Sequence, residues 1–520
     1  MLMRAQINTS SAKPAANRIR QILSGSLWGI LAKISDALAK FISIPILVGF
    51  YGKVDYGLIA LAFSLNAYLR LMDLGFNVGA VRYFSMWVGG NEQTKLSQVS
   101  RSSVIFYGLV GILNAVIFVM MADFGVDLFG LTESQVPIYR TMMYVLAMSA
   151  VLSWLSSVVV QLLSAKEDLG YINRVTLLVS LLNLMIALIA VQFRWSLITY
   201  FVCYTVITLV PIPFYVGRLN VFQMPVTSLL VPKWYGTAFR EVLNYSLAIF
   251  AMGIFQLTAN HLRPLLLAKF ANGTEVLTEY RVIQTIAMLI VAIGGVFMQV
   301  LLPSSAKVYA EGDQRRIERL VFEGTKYISI LLALMVFGLI LNAKAILTVY
   351  MGDTYQHLSL WLSLWLLTVL LSMHNTPVAS MVLSTGKTRK LVYSSAIACL
   401  LSLPITAIFA SRLEVGAAVV GYLVYMILQI GFFYGYYIPR VLKMDGLKLF
   451  MKAFLPATAG AALSMGGTQY FMEQLAELST YSAIILNSIV FILFYVLYLR
   501  VFVLKCADLE KLKHALIQKR

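Results

Sequence analysis

The sequence predicts an all-α integral membrane protein with about fourteen transmembrane helices, built as two pseudo-twofold-related six-helix lobes followed by two C-terminal helices. Three observations predict it. Of the 520 residues 60% are apolar and only 12% charged, roughly half the charge of an average soluble chain. Windows of about 20 mostly apolar residues, the length that crosses a bilayer core of about 30 Å, recur from one end of the chain to the other. Several landmarks also repeat at an offset of about 220 residues.

The expected spans are 22–48, 57–80, 102–122, 140–163, 174–193, 196–217, 243–268, 281–303, 326–343, 357–383, 391–410, 414–438, 450–470 and 480–504. The polar, basic stretch 1–21 reads as a cytoplasmic tail, and the apolar run after it, which carries charges and no cleavage site, as a retained helix rather than a signal peptide. The N-lobe covers 22–217, a cytoplasmic linker 218–242, the C-lobe 243–438, the two added helices 439–504, and a basic cytoplasmic tail 505–520. With both termini in the cytoplasm, the inner segments hold most of the 41 Lys and Arg, as the positive-inside rule requires. The net charge of +18 therefore marks topology, not a nucleic-acid partner.

The repeat supports the lobes. Pro45-Ile-Leu-Val-Gly-Phe-Tyr falls on Pro264-Leu-Leu-Leu-Ala-Lys-Phe, the loop at Gly90 on that at Gly312, and Leu163-Ser-Ala on Leu383-Ser-Thr. Six helices separate each pair, so the halves share one topology about an axis along the membrane normal.

Cys203, Cys399 and Cys506 are far apart, which indicates neither a disulfide framework nor a metal site. No HExxH, GxSxG, P-loop or paired-carboxylate pattern occurs in a plausible setting. The longest outer loop, with Asp123, Asp127 and Glu133, is too short for the chemistry of a membrane glycosyltransferase or polymerase. A transporter without catalytic residues, metal or cofactor is the expectation.

Charged residues inside spans are costly and suggest function by default. Lys33, Asp36 and Lys40 lie at i, i+3 and i+7 on one face of the first helix. Asn66, Arg70, Asp73 and Asn77 form a similar stripe on the second, and Gln256, Asn260 and Arg263 on the seventh. Together the three faces predict a water-filled cavity between the lobes with an excess of cations, which an anionic substrate group would meet. The structural alternative pairs Lys33 with Asp36 and Arg70 with Asp73, and lets Lys40 and Arg263 snorkel to headgroups. His261 and His374 are candidates for proton coupling, with a buried, hydrogen-bonded histidine as the alternative. Lys307 to Lys326, with Asp313 as N-cap, reads as an interfacial amphipathic helix.

The segments Phe50-Tyr-Gly-Lys-Val-Asp-Tyr-Gly57, Met72-Asp-Leu-Gly-Phe76, Leu302-Pro-Ser-Ser-Ala-Lys-Val-Tyr-Ala-Glu-Gly-Asp313, Ile346-Leu-Thr-Val-Tyr-Met-Gly-Asp-Thr-Tyr355 and Leu383-Ser-Thr-Gly-Lys387 resemble, in order and spacing, the polysaccharide transporter branch of the multidrug, oligosaccharidyl-lipid and polysaccharide exporter superfamily, which includes the O-antigen flippases. The resemblance implies a bacterial inner-membrane flippase that moves undecaprenyl pyrophosphate-linked oligosaccharide units outward by alternating access. It implies membrane lipid, a polysaccharide polymerase and a chain-length regulator as partners. The chain is also similar to the lipid II flippases, whose cationic cavity Lys33, Asp36 and Lys40 match in kind; a multidrug exporter is the further alternative. Many relatives carry an acid near the end of helix 7, where this chain has Asn260-His-Leu-Arg263. That leaves the driving force open among a proton gradient, a sodium gradient and the membrane potential.

Overall fold

A computed structural model describes residues 15–222, 224, 226–271, 273–386, 389–474 and 479–503, with side chains from Leu27 onward except at 226, 227, 248, 252, 296, 299, 300, 302, 303 and 306. The expected basic tail 505–520 and Cys506 lie outside the described residues, and all regular structure within them is helical. Large apolar side chains on outer helix faces stay exposed, Met148 at 82%, Ile408 at 69% and Leu463 at 67%. A surface of that kind needs lipid, not water, against it.

The helices are α1 (Ala15–Leu69), α2 (Phe76–Gly89), α3 (Gln93–Leu128), α4 (Val136–Ala165), α5 (Leu169–Gln192), α6 (Leu197–Leu209), α7 (Pro211–Val221), α8 (Val226–Leu230), α9 (Gly236–Phe270), α10 (Glu275–Glu311), α11 (Gln314–Leu341), α12 (Ala343–Met351), α13 (Ser359–Met373), α14 (Thr376–Ser384), α15 (Arg389–Leu413), α16 (Val415–Phe432), α17 (Gly446–Leu449), α18 (Leu455–Glu473) and α19 (Thr480–Tyr498). The repeat landmarks fall at matching places. Gly90 and Gly312 lie in the turns before α3 and α11, and Leu163 and Leu383 in the last turns of α4 and α14.

Eleven described helical segments are long and apolar enough to span a membrane, or twelve with α9 counted as one bent span. Fourteen were expected, and the shortfall falls at the N-terminal end. The first two expected spans merge into α1, broken at Gly52 (φ 85°, ψ 167°). The second, expected to run unbroken over 57–80, stops at Leu69. A 3-10 turn, Arg70–Asp73, follows it, then two left-handed residues, Leu74 (φ 52°) and Gly75 (φ 70°). A two-residue turn, His374-Asn375, separates α13 from α14 just before Pro377. Two further boundaries differ from expectation. Asp123 and Asp127 belong to the end of α3 and not to a loop, and Asp123 pairs with Arg140 at 3.0 Å. Lys307–Lys326 is not one interfacial helix: α10 continues to Glu311, and Asp313 caps α11 by accepting from the amides of Arg315 at 2.9 Å and Arg316 at 3.3 Å.

The chain forms two units, one of residues 1–43, 69–125 and 137–250, the other of 44–68, 126–136 and 251–520. The core of unit 1 holds Phe76, Tyr107, Trp154, Leu162, Leu219 and Phe239, with Phe76 stacked on Phe239 at 4.9 Å and Tyr107 on Trp154 at 5.8 Å. The stretch before α9 is fastened to α3. Ser97 and Ser100 donate to the carbonyls of Ser228 and Leu229, Arg101 to that of Val231, and Ser102 accepts from the Tyr235 amide. In unit 2 the last two helices pack against α11, where the buried Tyr495 hydroxyl donates to the Ile330 and Ala457 carbonyls at 3.2 Å.

Candidate functional site

Of the residues singled out by sequence, Lys33, Asp36, Lys40, Arg70 and Asp73 lie in unit 1, and Asn66, Gln256, Asn260, His261, Arg263 and His374 in unit 2. On the first arm of α1 Lys33 is exposed. Among the described residues it has no acid within ion-pair distance, because Asp36 is engaged elsewhere: its Oδ2 lies 2.7 Å from Lys40 Nζ. Positions three and four apart are both neighbours on a helix, and an acid N-terminal to its lysine, as Asp36 is to Lys40, is the better orientation. The face therefore presents a neutralised pair and one uncompensated cation.

The expected stripe of Asn66, Arg70, Asp73 and Asn77 is not one face, because the helix ends at Leu69 between its first and second members. Arg70 and Asp73 do not pair. The Arg70 guanidinium donates to Ser153 Oγ at 2.6 Å and lies 5.3 Å from the Trp154 ring. Asp73 accepts from the Tyr107 hydroxyl at 2.6 Å and from the Asn77 amide at 3.1 Å, while Gln161 donates to the Tyr107 oxygen at 2.7 Å. Tyr107 and Gln161 are fully buried, so this chain of hydrogen bonds fixes the turn after α1 to α3 and α4. Tyr107→Phe leaves an acceptor and a donor unmet and should lower stability by about 1–3 kcal/mol, read as a drop in the thermal unfolding midpoint.

On α9, Gln256 and Asn260 are exposed, His261 is half-buried and Arg263 is buried at 2% exposure. Arg263 is buried and does not snorkel, and among the described residues it meets no carboxylate. Its Nη2 donates to Ser402 Oγ at 3.3 Å and the Gly421 carbonyl at 3.4 Å, its guanidinium lies 5.2 and 5.7 Å from the Tyr422 and Tyr425 rings, and its Nε–H has no partner among the described residues. Such burial costs stability. Arg263→Met is expected to leave the unfolding midpoint unchanged or higher, by up to about 2 kcal/mol, while cutting transport severalfold; transport at the native rate would make Arg263 a packing residue. His374 is fully buried, its Nε2 3.0 Å from the Tyr434 hydroxyl and its ring 4.1 Å from that of Phe454. Cys203 and Cys399 are free thiols.

The sequence reading passed over one polar seam. The second arm of α1 is tied to α10: Thr274 and Thr278 donate to the Val54 and Lys53 carbonyls at 3.1 and 2.6 Å, and Arg281 to Ser64 Oγ at 3.0 Å. Glu279, 7% exposed, lies 3.8 Å from Lys53 Nζ and 3.1 Å from His357 Nε2. The signal was present, as a glutamate and an arginine stand within the apolar span 275–295.

The folds of known transporters resemble this one. The lipid II flippase MurJ, in an inward closed conformation, aligns over 92% of this chain and 98% of its own, with a TM-score of 0.72 and 12% identity. An inward-facing multidrug resistance MATE transporter of the MOP superfamily aligns over 76% and 93%, with a TM-score of 0.62 and 15% identity. A MOP superfamily transporter from Pyrococcus furiosus aligns over 82% and 97%, with a TM-score of 0.60 and 16% identity. No curated protein matches the sequence. The profile of one family, described as polysaccharide biosynthesis protein, matches residues 22–309, more than half of the chain. With helices throughout, two units and a transporter fold, this multi-pass membrane protein belongs to that polysaccharide biosynthesis family.

Proposed function

We propose that the protein is a flippase that carries an undecaprenyl pyrophosphate-linked oligosaccharide unit of an O-antigen, capsule or exopolysaccharide from the cytoplasmic to the periplasmic leaflet of a bacterial inner membrane. The observation that carries the reading is Lys33, an exposed cation on α1 with no acid within ion-pair distance among the described residues, in a member of a polysaccharide biosynthesis family. The pyrophosphate binds Lys33 through charge-assisted hydrogen bonds, which are stronger where water is partly excluded. Lys40, shared with Asp36, supplies less. The polyprenyl tail stays in lipid while the sugars cross in hydrated space, and alternating access exposes the headgroup to each leaflet in turn. A potential of about 100 mV, inside negative, acts with about 2.3 kcal/mol on each charge moved across and favours export of an anion.

The test is leaflet-resolved transport of a fluorescent undecaprenyl pyrophosphate-oligosaccharide by the full chain in proteoliposomes, with lipid II assayed in parallel. Transport of the oligosaccharide lipid well above that of lipid II supports the proposal. Faster transport of lipid II would make the chain a lipid II flippase, and a covalently altered lipid would make it an enzyme; either overturns the reading.

A further inference from the structure

The end of unit 2 that carries the Asp313 cap holds a cleft of about 490 Å³ between the first turns of α11 and the turn before α17. That is the size of small-ligand sites. Its walls are fixed, since Gln314 donates to the Leu442 carbonyl at 2.7 Å and Asp445 caps α17 by accepting from the Lys448 amide at 3.0 Å. Arg315, Arg319, Lys443 and Lys448 stand exposed around it. Among the described residues none of the four has an acid within ion-pair distance. Their neighbour Arg316, outside the cleft, takes both Glu311 at 2.6 Å and Asp313 at 3.5 Å.

The floor is apolar, made by Phe322, Met444 and the buried Leu449. Beside it Leu447 is 72% and Met451 49% exposed, side chains that sit stably in lipid and not in water. The cleft thus opens where α11 passes from its charged first turns into its apolar span. Three carboxylates, Glu318, Glu323 and Asp445, also line it; four cations less three acids leave one positive charge. That sum, with an apolar floor at a membrane boundary, matches a lipid headgroup bearing a single phosphodiester charge.

We propose that this cleft is a binding site for the phosphodiester headgroup of an anionic phospholipid, separate from the transport reading and independent of it. The acids set the selectivity. They repel a headgroup of higher negative charge, and the net positive charge gives neutral headgroups no advantage.

The test measures lipid retention by the purified full-length protein in native mass spectrometry, with phosphatidylglycerol, phosphatidylethanolamine and phosphatidylcholine offered at equal concentration. Native protein is expected to retain phosphatidylglycerol preferentially. Arg319→Gln with Lys443→Gln should weaken retention by about 5-fold for each cation removed, while Arg316→Gln, the same charge change outside the cleft, should leave it unchanged. Both substituted side chains are exposed, and an unaltered unfolding midpoint confirms the fold; Lys443→Gln alone, expected to weaken retention about 5-fold, serves if the pair perturbs it. Undiminished retention by the variants, or equal retention of all three lipids, overturns the proposal. Displacement of phosphatidylglycerol by an equal concentration of inorganic phosphate would identify a soluble phosphate as the ligand and overturn it as well.

Discussion

Lys33→Gln is expected to lower transport of an undecaprenyl pyrophosphate-linked oligosaccharide by at least about tenfold, with Lys40→Gln lowering it less. A hydrogen bond to a charged group contributes about 1.5–3 kcal/mol, and each 1.4 kcal/mol is a factor of ten. Lys33 has that energy to give because no acid among the described residues takes it. Lys40 holds Asp36 at 2.7 Å, and its loss would free a carboxylate beside the substrate as well as remove a cation. The asymmetry is the diagnostic feature. A purely structural triad would give equal, small transport losses that follow the unfolding midpoint, and Lys33→Arg, which keeps charge and donors, should restore much of the rate.

Gly57→Ala is expected to destabilise the protein by about 2 kcal/mol or more, seen as a large drop in unfolding midpoint or failure to accumulate in the membrane. A Cβ on Gly57 would overlap the Thr274 carbonyl, a backbone group that no rotamer change can move aside. The hydrogen bonds of Thr274, Thr278 and Arg281 to the second arm of α1 depend on the same close approach. Ser64→Ala, which removes one partner from that seam without adding volume, should cost only about 1 kcal/mol. Equal losses from both substitutions would refute the overlap.

Membrane class, helical fold and family were legible because each rests on properties spread along the whole chain. Burying 60% apolar residues has few solutions, and the expected loops at 90 and 312 and helix ends at 163 and 383 recur as turns and last turns. The breaks were not legible. Met72-Asp-Leu-Gly-Phe76 is compatible with a continuous helix by hydropathy, and only the left-handed Leu74 and Gly75 show that the chain turns there. Periodicity also placed Arg263 on one side of its helix with Gln256 and Asn260, without saying what faces that side. α15 and α16 do, through Ser402 and Gly421, and they bury the third residue while leaving the first two exposed. The spacing offered Asp36 two lysines, Lys33 and Lys40, and offered Arg70 one acid, Asp73. Neither the Lys33–Asp36 nor the Arg70–Asp73 pair formed, because Asp36 pairs with Lys40 on its C-terminal side and Tyr107 reaches Asp73 from another helix.

The burial of Arg263 has a consequence for how the protein is made. Its acceptors, Ser402 and Gly421, lie 139 and 158 residues further along the chain. At a synthesis rate of about 5–20 residues per second, α9 leaves the ribosome roughly ten to thirty seconds before both are available. Until then it carries a guanidinium that costs at most about 2.5–3.5 kcal/mol at the translocon, the figure for a helix centre. Helix α9 is therefore made before the two helices that supply the acceptors of Arg263, and that cost is relieved only once α15 and α16 have followed it.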